Sequence, residues 1–140
     1  MAHINKIIID GYRSVDHAEL VLPRQAPLVL IGENNAGKSH IIKALDLLCG
    51  ETWPASHAPE DNEFYKRDRD RTIEIRAEFS EPLGRWDEIC WRFNTNGDPE
   101  VQFGGVDEAG QIRWMRGEER TELIAVTIGA DRRLSYQLGR

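Results

Sequence analysis

Residues 31–40 read IGENNAGKSH, and the rest of the chain is interpreted outward from them. Gly32-Glu33-Asn34-Asn35-Ala36-Gly37-Lys38-Ser39 fits the pattern GxxxxGK[ST] at every position. The spacing has a chemical reason. Backbone N–H groups of such a loop turn inward around a β-phosphate, which demands backbone angles that glycine tolerates best. A lysine in the place of Lys38 puts its ammonium on β- and γ-phosphate oxygens, and a hydroxyl in the place of Ser39 can hold Mg²⁺. The competing interpretation is a glycine turn with an incidental lysine. The flanks speak against it. LVLI, residues 28–31, is a continuous apolar run of the kind buried inside a sheet. KSHIIKALDLLC, residues 38–49, carries apolar side chains at 41, 42, 45, 48 and 49, which predicts a helix with one buried face. Gly50 supplies the stop. A helix N-terminus placed directly after the loop adds its partial positive charge to the cradle.

Upstream, HINKIII (residues 3–9) predicts a strand, GYRSVDH a turn, and AELVL (18–22) a second strand that closes a hairpin. Pro23 and Pro27 bracket a short connection to the buried run. Downstream, residues 51–71 are polar, rich in Pro, Asp and Arg, and without period, so a long loop is expected. TIEIRAEF (72–79) alternates: Ile73, Ile75, Ala77 and Phe79 on one side, Glu74, Arg76 and Glu78 on the other, as in a half-buried antiparallel strand. ICWRF, VQFGGV and QIRWM predict three more short strands, with turns at NTNGDP (94–99) and DEAG (107–110). ELIAVTI (122–128) reads as a further strand, and DRRLSYQL (131–138) as the start of a helix. The expectation is a mixed α/β lobe over residues 1–140: hairpin and strand–loop–helix in 1–50, a polar loop in 51–71, and mainly antiparallel strands in 72–130.

Composition is that of an ordinary globular chain, 40% hydrophobic and 30% charged over 140 residues. A chain of this length buries roughly two-thirds of its unfolded surface. No run approaches the ~18 apolar residues of a membrane span. The N-terminus, MAHINKIIIDGYRS, lacks the apolar stretch of a signal peptide. Cys49 and Cys90 belong to no CxxC pair, which suits free thiols in a reducing cytoplasm. His3, His17, His40 and His57 show no metal-ligand spacing. A net charge of -6 argues against a strong nonspecific grip on nucleic acid by these residues alone. The densest basic stretch, KRDRDR (66–71), is diluted by its own aspartates and reads as a solvated loop. Glu60, Asp61 and Glu63 likewise read as solvated surface.

GENNAGKSHIIKAL resembles the GxNxxGKS-x-[IL]-x-x-A-[IL] loop of the SMC/RecF/OLD branch of ABC-type ATPases. IIIDGYRSVDHAELVLP is similar to the opening hairpin of that family, and DNEFYKRDRDRTIEIRAEFSEP and VTIGADRRLSYQL are similar to later blocks of it. The resemblance is specific over residues 1–50, and residues 82–121 lie outside it. It implies a P-loop NTPase fold, the N-terminal half of an ABC-type ATPase head with an antiparallel β-subdomain. It further implies that Gly32, Asn34, Asn35, Ala36, Gly37, Lys38, Ser39 and His40 surround the phosphates of ATP, with Ser39 on Mg²⁺. Arg13 and Ser14 match the RS of the opening hairpin, which in the family lies near the nucleotide; a solvated turn is the bland alternative for Arg13. Gln102, Gln111 and Gln137 are candidates for the family's glutamine that senses magnesium and water, with Gln137 in the best-matching block.

One residue departs from the pattern. His40 stands where the family usually has a small polar residue whose hydroxyl reaches the α-phosphate; an imidazole is bulkier, so the contact expected of His40 is through its backbone N–H. The parts needed for hydrolysis are also not found. IAVTIGAD (124–131) has a Gly-Ala break before its aspartate, and Arg132 stands where a catalytic glutamate belongs. No LSGG-like signature occurs. By the resemblance, hydrolysis requires a C-terminal half and dimerisation of the full-length protein, which would be a DNA-linked ATPase in repair or anti-phage defence. A small P-loop kinase and a non-enzymatic interaction module are the alternatives.

Overall fold

A computed structural model describes residues 4–22, 38–50, 52–95, 97 and 99–120. The expectations for LVLI, for Gly32 to Gly37, for ELIAVTI and for residues 131–138 fall outside them. The architecture is a six-stranded sheet in the order β2-β1-β3-β4-β5-β6, every neighbour antiparallel. The strands are β1 (Ile4–Tyr12), β2 (Val15–Val21), β3 (Ile73–Leu83), β4 (Trp86–Asn94), β5 (Glu100–Val106) and β6 (Ile112–Arg113). The helix α1 (Lys38–Cys49) spans the residues whose apolar spacing predicts it.

Alternation decides which face is buried. Ile7 and Ile9 of β1 stand beside Ala77 and Ile75 of β3, and these beside Ile89 and Trp91 of β4. All are fully buried. Ala44, Leu48 and Cys49 of α1 close over this core. The opposite face is a ladder of charge. Arg76 pairs with Glu74 and Glu88, and Arg92 with Glu74 at 3.1 Å. A sheet that is apolar on one side and charged on the other needs only one covering layer.

Four expectations change. The hairpin turn is only Arg13-Ser14, because β1 continues to Tyr12 and β2 begins at Val15. Gly11 looks like punctuation but sits inside β1 at φ +66°, where an added Cβ would come within 3.0 Å of the Thr72 carbonyl. Residues 52–71 are ordered into short 3₁₀ turns at Pro54–Ser56, Asp61–Glu63 and Tyr65–Arg67, and Trp91 donates its indole N–H to the Pro54 carbonyl at 3.0 Å. QIRWM shrinks to the two-residue β6, leaving Trp114 exposed.

Candidate functional site

The first turn of α1 holds Lys38, Ser39 and His40. It contains no acidic residue, so no carboxylate of its own opposes an anion there. Ser39 is exposed and His40 half-buried. Gly50 ends the helix, its N–H returning to the Asp46 carbonyl at 2.7 Å. An added Cβ on Gly50 would sit 2.4 Å from that carbonyl, so glycine is required at this stop.

The β1–β2 turn reaches α1 through His40. The Ser14 backbone N–H lies 3.3 Å from His40 Nδ1, and Ser14 Oγ lies 2.6 Å from the same atom. A backbone N–H can only donate. Nδ1 therefore carries the lone pair, and the neutral ring holds its proton on Nε2. Burial first, then the positive charges of Arg13 and Lys43, hold the His40 pKa below its ordinary value. The imidazole is thus a neutral strut between turn and helix. The departure from the family's small polar residue has a structural use here.

Arg13 is not a solvated turn residue. It takes φ +52° and donates its backbone N–H to the Glu63 carbonyl at 2.8 Å. Its guanidinium donates to Glu63 Oε1 at 3.3 Å and stacks over the Tyr12 ring at 5.5 Å. Glu63 corrects a second expectation: it is buried at 4% exposure, whereas Glu60 and Asp61 are exposed. Its carboxylate also lies 2.8 Å from His57 Nε2 and accepts the Glu60 backbone N–H at 2.8 Å. These groups line a cleft of about 360 Å³ beside α1, bounded by Tyr12, Arg13, Lys43, Leu47, His57 and Glu63. Burial raises the pKa of the Tyr12 phenol there.

The candidate residues therefore separate into groups. Arg13, Ser14 and His40 are brought together with α1. Gly32, Asn34, Asn35, Ala36, Gly37 and Gln137 lie outside the described residues, as does the Lys38 side chain. Gln102 faces Arg92 on the charged side of the sheet, opposite the face that α1 covers, and Gln111 is exposed in the β5–β6 turn. Among the described residues no cluster of His, Cys, Asp or Glu could hold a metal, and no helix is long and apolar enough to cross a membrane. His57 and Glu63 carry no motif. The one available signal for Glu63 is its place before Phe64, which is buried at 1% exposure and forms an isolated bridge with Tyr12.

Comparison with known proteins gives a family and two relatives. The AAA ATPase domain family matches residues 3–115. The OLD nuclease of Thermus scotoductus is 30% identical over 118 residues, covering 78% of this chain and 21% of that protein. The solved structure of the recombination mediator protein RecF with ATP superposes with a TM-score of 0.52 at 15% identity, covering 78% of this chain and 30% of RecF. The chain thus spans less than a third of either relative's length.

Proposed function

Because this chain belongs to the AAA ATPase domain family, we propose that it is the ATP-binding part of a DNA-linked ATPase and that residues 32–39 cradle Mg-ATP. The fold is that of an SMC/RecF/OLD-type ABC ATPase, an α/β P-loop NTPase with an antiparallel sheet. The observation that carries the proposal is α1 itself. It begins at Lys38, directly after the glycine loop, and its first turn is free of carboxylates. A triphosphate placed there meets backbone N–H groups and a partial positive charge.

In this reading Gly32, Asn34, Asn35, Ala36 and Gly37 wrap the phosphates through backbone N–H groups, Lys38 neutralises the β- and γ-phosphates, and the Ser39 hydroxyl is a ligand to Mg²⁺. Magnesium, when bound, would neutralise phosphate charge there. His40 contributes its backbone N–H, and with its ring held by Ser14 it fixes the turn against the helix. Arg13 and Ser14 act from that turn. Gln137 sensing the metal remains part of the proposal. Hydrolysis would be completed by elements absent from these residues and by a second head, in repair or in defence against phage. Nuclease chemistry is not assigned to this chain.

A small P-loop kinase is the competing enzyme. Six antiparallel strands, with α1 and a short helical turn at residues 117–120 among the described residues, favour the ATPase. The test is calorimetric titration of the chain with AMP-PNP and Mg²⁺ beside Lys38→Ala. Binding by the wild type and none by the variant is expected. Equal binding by both would remove the loop from the site. Negligible ATP turnover by the chain is also expected, and robust turnover would refute the need for a second half.

A further inference from the structure

Arg120 is a buried cation that the proposed ATP chemistry does not use. It is 2% exposed, and among the described residues its hydrogen-bond partners are backbone carbonyls and not carboxylates. Its guanidinium spends its donors on backbone carbonyls. Nε and Nη2 donate to the Leu48 carbonyl at 3.2 and 3.0 Å, and Nη2 also reaches the carbonyls of Gly50 and, at 3.3 Å, Thr52. Leu48 lies in the last turn of α1, and Gly50 and Thr52 follow it. The last carbonyls of a helix have no partner within it and carry the negative end of its dipole, so a cation there is both bonded and charge-matched. The guanidinium also lies beside two aromatic rings that meet edge to face, 5.6 Å from Trp53 and 5.8 Å from Phe103. α1 has no basic residue of its own in its last turn. Arg120 supplies that charge from 72 positions away in the chain.

The turn that carries Arg120 is itself anchored. The neighbouring Glu119 accepts the Trp86 indole N–H at 2.9 Å, which ties residues 117–120 to β4. Arg120 therefore joins the C-terminal end of α1 to the far strands of the sheet.

We propose that Arg120 is a positioning residue for nucleotide binding: by clamping the C-terminal end of α1 it sets where the helix N-terminus, and with it Lys38 and Ser39, stand relative to the phosphates. The inference rests on the ATP reading of the glycine loop. A 12-residue helix is a rod of about 18 Å at 1.5 Å per residue. A tilt of about 5° at the clamped end displaces the other end by roughly 1.5 Å on that length. Displacements of about 1 Å cost on the order of a hundredfold in rate where reacting groups must be positioned, and a phosphate cradle depends on the same directional contacts.

The test compares wild type, Arg120→Lys and Arg120→Met in AMP-PNP affinity with Mg²⁺, each well below its own unfolding midpoint. Ile89→Val, a core trim on β4, is the comparison that lowers stability without touching the clamp. The expected result is a tenfold or greater weakening in Arg120→Met, a smaller loss in Arg120→Lys, no change in Ile89→Val, and partial recovery of Arg120→Met by millimolar guanidinium. Unchanged affinity in Arg120→Met, or equal weakening in Ile89→Val, would overturn the inference while leaving ATP binding intact. If the wild type itself binds no nucleotide, the ATP reading fails. Amide exchange then decides the clamp alone: Arg120→Met must speed exchange in α1 more than in β3, and uniform acceleration would refute it.

Discussion

Arg13 and Glu63 are 50 positions apart in the chain and joined twice, through the backbone at 2.8 Å and through their side chains at 3.3 Å. The pairing binds the β1–β2 turn to the segment that follows α1, so the walls of the cleft beside the helix hold each other. Their side chains are 18% and 6% exposed, well inside the range where removing one partner strands the other. Glu63→Ala should lower unfolding stability by about 3 kcal/mol, as for a broken buried pair, and Glu63→Gln by less, since it still accepts hydrogen bonds. Urea unfolding of both variants measures this. A loss under about 0.5 kcal/mol in Glu63→Ala, the level of an ordinary surface substitution, would mean that the pair is effectively solvated.

His40 makes stability depend on pH in a definite direction. Its folded pKa lies below the ordinary 6.5, so between those two values the unfolded chain binds more protons than the folded one. Stability from this residue is present above about 6.5, falls as pH drops below it, and levels off beneath the folded value. His17 acts oppositely and in another window. Asp10 raises its pKa, so its contribution is full below 6.5 and is lost as pH rises through the raised value. Thermal midpoints from pH 5 to 8 should show an acid-side decline that His40→Gln abolishes and His17→Gln leaves in place. A decline that survives His40→Gln belongs to another group.

Gly105 should tolerate no side chain. An added Cβ would lie 2.0 Å from the Trp86 ring, which packs flat on the β5 backbone across from Ile89. Gly105→Ala should cost about 2 kcal/mol or more through overpacking, read as a lower urea midpoint with an unchanged slope. Gly97→Ala has open space and differs only by the strain of a φ of +83°, so it should be milder.

Cys90 is buried on the charged face, and burial pushes its thiol up to about 12. At pH 8 the thiolate that reacts is scarce. A disulfide reagent should label Cys90 only as the chain unfolds. Rapid labelling of the native protein would show that the face opens.

The repeating elements were legible in the sequence because their signal repeats. Ile73, Ile75, Ala77 and Phe79 alternate, and the apolar positions of residues 38–49 recur with a helical period, so β3 and α1 appear where the pattern puts them. The cleft was not legible. Glu60, Asp61 and Glu63 are equivalent as letters, and only the fold turns Glu63 inward. Arg120 gives no local sign, since its partners are carbonyls that every residue possesses. Gly11 misled for a related reason: a glycine marks a turn or a close approach with the same letter, and here the approach is to Arg71 and Thr72.

The strand order also sets an order of assembly. β3, β4 and β5 are sequential neighbours, each pairing across a short connection, whereas β1 must find β3 with Ile9 opposite Ile75. Chain closure over that separation is the slow, entropically expensive event, and local hairpins precede it. The meander and the β1–β2 hairpin should therefore form as separate early units, with the β1–β3 seam knitting last and carrying the intervening glycine loop and α1 into place.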